Sequence, residues 1–212
     1  CLLRVSRKSD PHLDFSFPIL PSGQKMKTCK PVSQVQGRYK SLKADDEDTE
    51  KKEGLFVNEE KLIISAQELK QPSEEATKIF YDKIDTIAEE LNRKMLGRPD
   101  IDRLIGLNNM EMMENNSRNY LRFMGAIFHS YDPIVLVQTS LWAFRAYRSH
   151  GFYIEYWPAN LDTTVQILKK ELPEKVYKEI YPFFEWLIVN IPAFVIITDT
   201  MLKEESKPYE YI

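Results

Sequence analysis

The chain has 212 residues, 43% of them apolar and 29% charged, with a formal net charge of −3. That composition suits one globular domain with an extension, or two small domains, and excludes fibrous and wholly disordered classes. Its two cysteines, Cys1 and Cys29, are too few for a disulfide framework, and point to a reducing, cytoplasmic setting.

The charge is unevenly spread. Residues 1–43 hold nine basic and two acidic side chains, a net of +7, which leaves −10 for residues 44–212. An acidic folded part repels phosphates, so nucleic acid is not expected as a partner. Scattered prolines (Pro11, Pro18, Pro21, Pro31) and the lack of any sustained period make residues 1–43 an irregular extension. Leu2-Leu3 is too short an apolar run for a secretory signal. The run Asp45 to Glu53 reads as a charged linker. Leu55-Phe56-Val57, a turn at Asn58-Glu59-Glu60 and Leu62-Ile63-Ile64 are expected to form a small hairpin or an arm lying on the main domain. This gives an extension over 1–72, a helical domain over 73–200 and a tail over 201–212.

From Ser73 the apolar spacing is helical throughout. Ser73 caps a helix with Glu74 and Glu75 in its first turn and Phe80, Ile84, Ile87, Leu91 and Met95 along one face. Gly97 and Pro99 stop it. A short turn carries Leu104 and Leu107, and a longer helix is expected from about Asn109 to Tyr131. The next helix has the clearest boundaries. Asp132 caps, Pro133 fits the first helical position, and Gly151 supplies a left-handed stop with Tyr147 and Phe152 in contact. Apolar residues nearly all round, Ile134 and Trp142 included, predict a buried rod at the centre of the domain. Tyr153, Tyr156 and Trp157 are expected in a loop before Pro158, which opens a helix through Leu172. A last helix runs from Pro173 to about Val195, kinked or broken at Pro182 and Pro192. The stretch from Ile180 to Thr198 has the length of a membrane span, but Glu185, Asn190 and two prolines favour a core helix.

The chemistry concentrates at the end of the Pro133 helix. Arg145, Arg148 and His150 stand among Trp142, Tyr147, Tyr153, Tyr156 and Trp157, and arginines beside aromatic faces could clamp a carboxylate or phosphate or stack on a planar ligand. Equally, the cations could complement the helix C-terminus while the aromatics pack. Metal-binding spacings are absent, and no nucleophile elbow or phosphate-cradling loop appears. An Asn-rich patch (Asn108, Asn109, Asn115, Asn116, Asn119) faces either a polar pocket or solvent.

The order Asn119-Tyr120-Leu121-Arg122, a break at Asp132-Pro133, then Ala146-Tyr147-Arg148 and Gly151 resembles the globin-like superfamily, nearest its phycobilisome-type and non-haem sensor branches. The resemblance spans roughly residues 74–198 and implies an all-α, globin-like arrangement of about six helices with a sensory role. Residues 30–212 contain no cysteine, so a covalent bilin is not expected. His129 and His150 would be the residues to bind haem if any did, although 21 residues is a short separation for such a pair. The expectation is a non-catalytic sensory or regulatory domain, without a resident cofactor or metal, that binds a small ligand or a protein partner and forms a homodimer. A haem-binding gas sensor is one alternative. Another is an enzyme acting through Arg145, Arg148 and a carboxylate such as Glu155.

Overall fold

In the computed structural model, which describes residues 59–205, every regular element is an α-helix. Residues 59–66 form α1. There follow α2 (Glu74–Leu96), α3 (Ile101–Ile105), α4 (Met110–His129), α5 (Pro133–Ser149), α6 (Tyr156–Glu171), α7 (Glu174–Val189) and α8 (Ile191–Glu205). The chain is therefore all-α as expected, with eight helices among the described residues where about six were anticipated.

The longest helix, α2, begins where Ser73 Oγ accepts from the Ala76 amide at 3.2 Å and ends at Gly97. Its apolar stripe (Phe80, Ile84, Ile87, Leu91, Met95) is buried along its whole length. This helix packs against α4, α6 and α7 and is the central rod of the domain. Its crossing with α4 is close because position 125 is glycine: a Cβ there would come within 2.9 Å of the Tyr81 ring. Phe80 and Phe183 each meet Phe128 edge to face, at 4.9 and 5.1 Å between ring centroids. Such pairs add to the burial of their area.

The central place expected for the Pro133 helix goes instead to α2. The boundaries of α5 are as read: Asp132 Oδ1 accepts from the amides of Ile134 and Val135 at 2.8 and 3.3 Å. At its end the Phe152 amide donates to Tyr147 O and the Gly151 amide to Arg148 O, with Gly151 at φ +93°. Those two bonds are the Schellman stop. But only one face is covered, that of Leu136, Val137, Ser140, Leu141 and Phe144. Ile134 and Trp142 stay 42% and 41% exposed. Apolar residues on every side of α5 were read as complete burial, whereas α8 covers it from one direction.

Three other expectations change. Glu59, Glu60 and Leu62 to Ile64 are helical, not a turn and strand; residues 55–57 lie outside the described residues. Leu62 and Ala66, one turn apart, are buried in the core, so the helical spacing prevails over local β-propensity. Two long-range bonds fix this helix: Trp186 Nε1 donates to Ser65 Oγ at 3.0 Å, and the Tyr131 hydroxyl donates to Ala66 O. The core therefore begins before Ser73. Next, Tyr156 and Trp157 form the first turn of α6 and are buried, not in a loop. Finally, the last helix breaks where Pro192 led one to expect, bending by 50° at Asn190 into α8, but α7 runs through Pro182 without a break. Pro192 lies in the first turn of α8, where its missing amide goes unneeded. No single described helix is long and apolar enough to cross a membrane, although α7 and α8 together pass that test as a bent pair.

Candidate functional site

The end of α5 is held by a junction of loops. Gly106, before α4, has φ +75°, and a Cβ there would lie 2.6 Å from Gly151 O. Only glycine permits that backbone and that approach. Asn109, buried beside it, donates through Nδ2 to both Ile105 O and His150 O at 2.7 Å. The Tyr153 amide donates to Leu104 O at 2.9 Å. Part of the Asn-rich patch is thus interior: Asn109 and Asn116 are buried.

The expected site residues divide into three groups. Arg148 turns away from solvent onto α8, where its guanidinium pairs with Asp199 and donates to Thr198 Oγ1 at 2.8 Å. It ties α5 to α8. His150 is exposed at the C-cap, with Nδ1 2.7 Å from Ala146 O, and Tyr153 is exposed in the following loop. The His150 contact matches the capping reading of the cationic cluster, whereas Arg148 serves the packing of α8 instead.

Trp142 and Arg145 form the second group. With Gln138 and Leu141 on the same helix, Glu59 on α1 and Met201 on α8 they line a shallow, solvent-open depression of about 160 Å3. Small-molecule pockets typically enclose about 300–1,000 Å3. The depression is too small and too open to surround a cofactor.

Tyr147 and Trp157 form the third, and they point inward. Trp157 stacks on Phe144 at 3.8 Å and 7°, and Tyr147 lies 5.0 Å from Trp157 and 4.7 Å from Phe152. Tyr156, on α6, stands 5.8 Å from Tyr147 and accepts from Asn160 Nδ2 at 3.1 Å. Burial pushes the hydroxyls of Tyr120, Tyr147 and Tyr156 well above the ordinary tyrosine ionisation. Tyr156 was read from sequence as part of the aromatic cluster, whereas Tyr120 and Asn160 were not singled out as site residues. The signal available was a Tyr and an Asn four residues apart on each of two helices, Asn116/Tyr120 and Tyr156/Asn160, which places each pair on one face.

Neither histidine enters this interior. His129 is exposed at the end of α4, where its carbonyl accepts from Gln71 Nε2 at 2.9 Å. Glu155 pairs with Arg103 at 3.6 Å. Among the described residues no three His, Cys, Asp or Glu side chains gather to hold an ion. No family model matches the chain, and it matches neither a curated protein nor a solved structure.

Proposed function

We propose that the helical domain is a non-catalytic sensory or regulatory module, and that the outer face of α5 around Trp142 is where it meets a protein partner, a second copy of this chain. One observation carries this reading: a tryptophan kept 41% exposed beside an arginine, over a depression too shallow for a ligand. Tryptophan and arginine are the residues most enriched at binding hot spots, and a flat apolar face suits a partner surface better than a small molecule. Exposed Ile134 lies two turns away on the same helix and extends the face. The globin-like arrangement belongs to this proposal and rests on the sequence resemblance. The haem reading has less support, because both imidazoles it would use, His129 and His150, are exposed at helix ends. The enzyme reading weakens with Arg148 engaged on α8 and Glu155 on Arg103.

Light scattering of the full chain tests the proposal. A dimer is expected, with Trp142→Ala weakening association by at least tenfold, the effect of losing about 1.4 kcal/mol at a hot spot. A wild-type chain that stays monomeric at all concentrations, or a Trp142→Ala chain that dimerises as well as wild type, overturns it.

A further inference from the structure

The loop between α3 and α4 holds an apolar side chain out in water. Leu107 is 90% exposed, against 65% for Val189, the next most exposed large apolar residue described. Single apolar residues at a surface are ordinary, so exposure alone decides nothing. The backbone beneath this one is less ordinary. Among the described residues, positive φ occurs at Gly106, Asn108 and Gly151, and all three belong to this junction, with Leu107 between the first two. Asparagine enters the left-handed region more readily than most side chains, yet still at a cost. Asn109 then fixes the loop from below, buried and bonded to both Ile105 O and His150 O. Leu107 therefore projects from a backbone clamped on both sides. A side chain presented in this way has less freedom left to lose when a partner covers it.

A complement to it lies on the same domain. The depression at Trp142 offers about 160 Å3, lined by three apolar side chains (Leu141, Trp142, Met201) and three polar ones (Glu59, Gln138, Arg145). A space of about 150 Å3 takes one benzene molecule, so this one suits the isobutyl group of a leucine and little more. With one acid and one base on its lining, it singles out no charged ligand. Asn108, exposed next to the leucine, brings an amide for those polar groups, which gives an apolar centre with a polar rim. At 90% exposure, Leu107 does not fill the depression of its own chain. Gly106 abuts Gly151, so the loop stands at the end of α5, and Trp142 lies eight residues before His150, about 12 Å along the helix. Two copies can each give a leucine to the other's depression, the reciprocal pattern of a two-fold dimer.

We infer that Leu107 is a knob that enters the Trp142 depression of a second copy of this chain. The inference rests on reading the Trp142 face as a surface of self-association, and it names the side chain that meets Trp142 across the interface.

The test is complementation between two variants of the full chain. Leu107→Ser removes the knob, and Trp142→Ala removes a wall of the depression. In sedimentation each alone should self-associate at least tenfold more weakly than wild type, as the burial of a leucine side chain implies. Mixed in equal amounts they regain one intact contact, the leucine of the Trp142→Ala chain in the depression of the Leu107→Ser chain. The mixed pair should be at least tenfold tighter than either variant with itself. In 1H–15N spectra of labelled Leu107→Ser chain, the Trp142 indole N–H, assigned by Trp142→Phe, should shift when unlabelled Trp142→Ala chain is added. It should not shift on adding a chain that carries both substitutions. If Trp142→Ala loses its helical circular dichroism, Gln138→Trp, which fills the depression from an exposed position, replaces it. A Leu107→Ser chain that associates like wild type, or a mixture no tighter than its components, overturns the knob and leaves the Trp142 interface standing. A wild-type chain that stays monomeric overturns both.

Discussion

The domain has two aromatic interiors built to different rules. Around Phe128, between α2, α4 and α7, the packing is phenylalanine against phenylalanine at edge-to-face distances. Around Tyr147, between α4, α5 and α6, the rings are as dense but carry hydroxyls, and two asparagines are buried with them. A core selected only for stability would use leucine and phenylalanine in both places, since each buried polar atom must recover its lost hydration through a partner. The first region recovers nothing and needs nothing. The second leaves the Trp157 indole unpaired, and the Tyr120 hydroxyl, on a ring that meets Phe184, is unpaired as well. The contrast separates the part of the molecule that holds it folded from the part kept polar for another reason.

If that division is right, the largest loss comes from the dry side. Phe128→Ala removes a fully buried ring that contacts Phe80, Phe183 and Phe184. It should cost about 3–5 kcal/mol in denaturant unfolding, the transfer term plus the cavity left behind. On the polar side, Tyr156→Phe keeps the ring and strands the Asn160 amide, which should cost about 1–3 kcal/mol. Equal losses at the two positions would erase the distinction.

How far the sequence reveals this division differs along the chain. The ends of α5 were legible because caps are local: an aspartate, a proline and a glycine settle them within a few residues of backbone. The apolar stripe of α2 was legible for the same reason, being periodic from Phe80 to Met95, about four turns. What covers a helix is not local. Trp142 and Val137 look alike in a hydropathy pattern, and only the position of α8 decides that one is outside and the other inside. Arg148 likewise reads as a ligand clamp until Thr198 and Asp199, some fifty residues on, arrive beside it. Leu62 to Ile64 pass for a strand until Ala66 is seen buried one turn further along. Of the candidate site, Tyr147 and Trp157 were legible as members of one aromatic group, but not as its inward side. Asn116 stood out only as part of a polar patch and Asn160 not at all, because a buried asparagine is chemically identical to an exposed one until the helices converge.

Alkali sharpens the comparison, because the Tyr147 interior holds fully buried phenols while Tyr131 sits at the edge of the phenylalanine one, against Phe183. Burial raises the hydroxyls of Tyr120, Tyr147 and Tyr156, and it pushes Tyr131 up to about 12. A group whose folded value is raised stabilises the fold below its unfolded value and loses that contribution as pH rises toward the folded one. Stability should therefore fall as pH climbs above about 10, the ordinary tyrosine value. The fraction of tyrosinate absorbance belonging to the cluster should appear together with the loss of helical circular dichroism. If those hydroxyls titrate near the ordinary value while the helices stay intact, the polar interior is open to water and the division fails.

The smallest effect lies at the rim of the dry side, where polarity is incidental. Glu179 on α7 accepts from the Ser73 amide at 2.7 Å, and that bond holds its carboxyl below the usual range. A depressed carboxyl stabilises the fold above its unfolded value and ceases to do so as pH falls through its folded one. Glu179→Gln should thus lower the melting temperature slightly at neutral pH. In acid the two proteins should melt alike, since a protonated glutamate and a glutamine offer Ser73 similar acceptors. Paired melts at neutral and acid pH measure this difference directly. A Glu179→Gln chain that loses more stability than the Tyr156→Phe chain would mean that surface polarity at the α2 start, and not the packed phenylalanines beneath it, holds α7 in place.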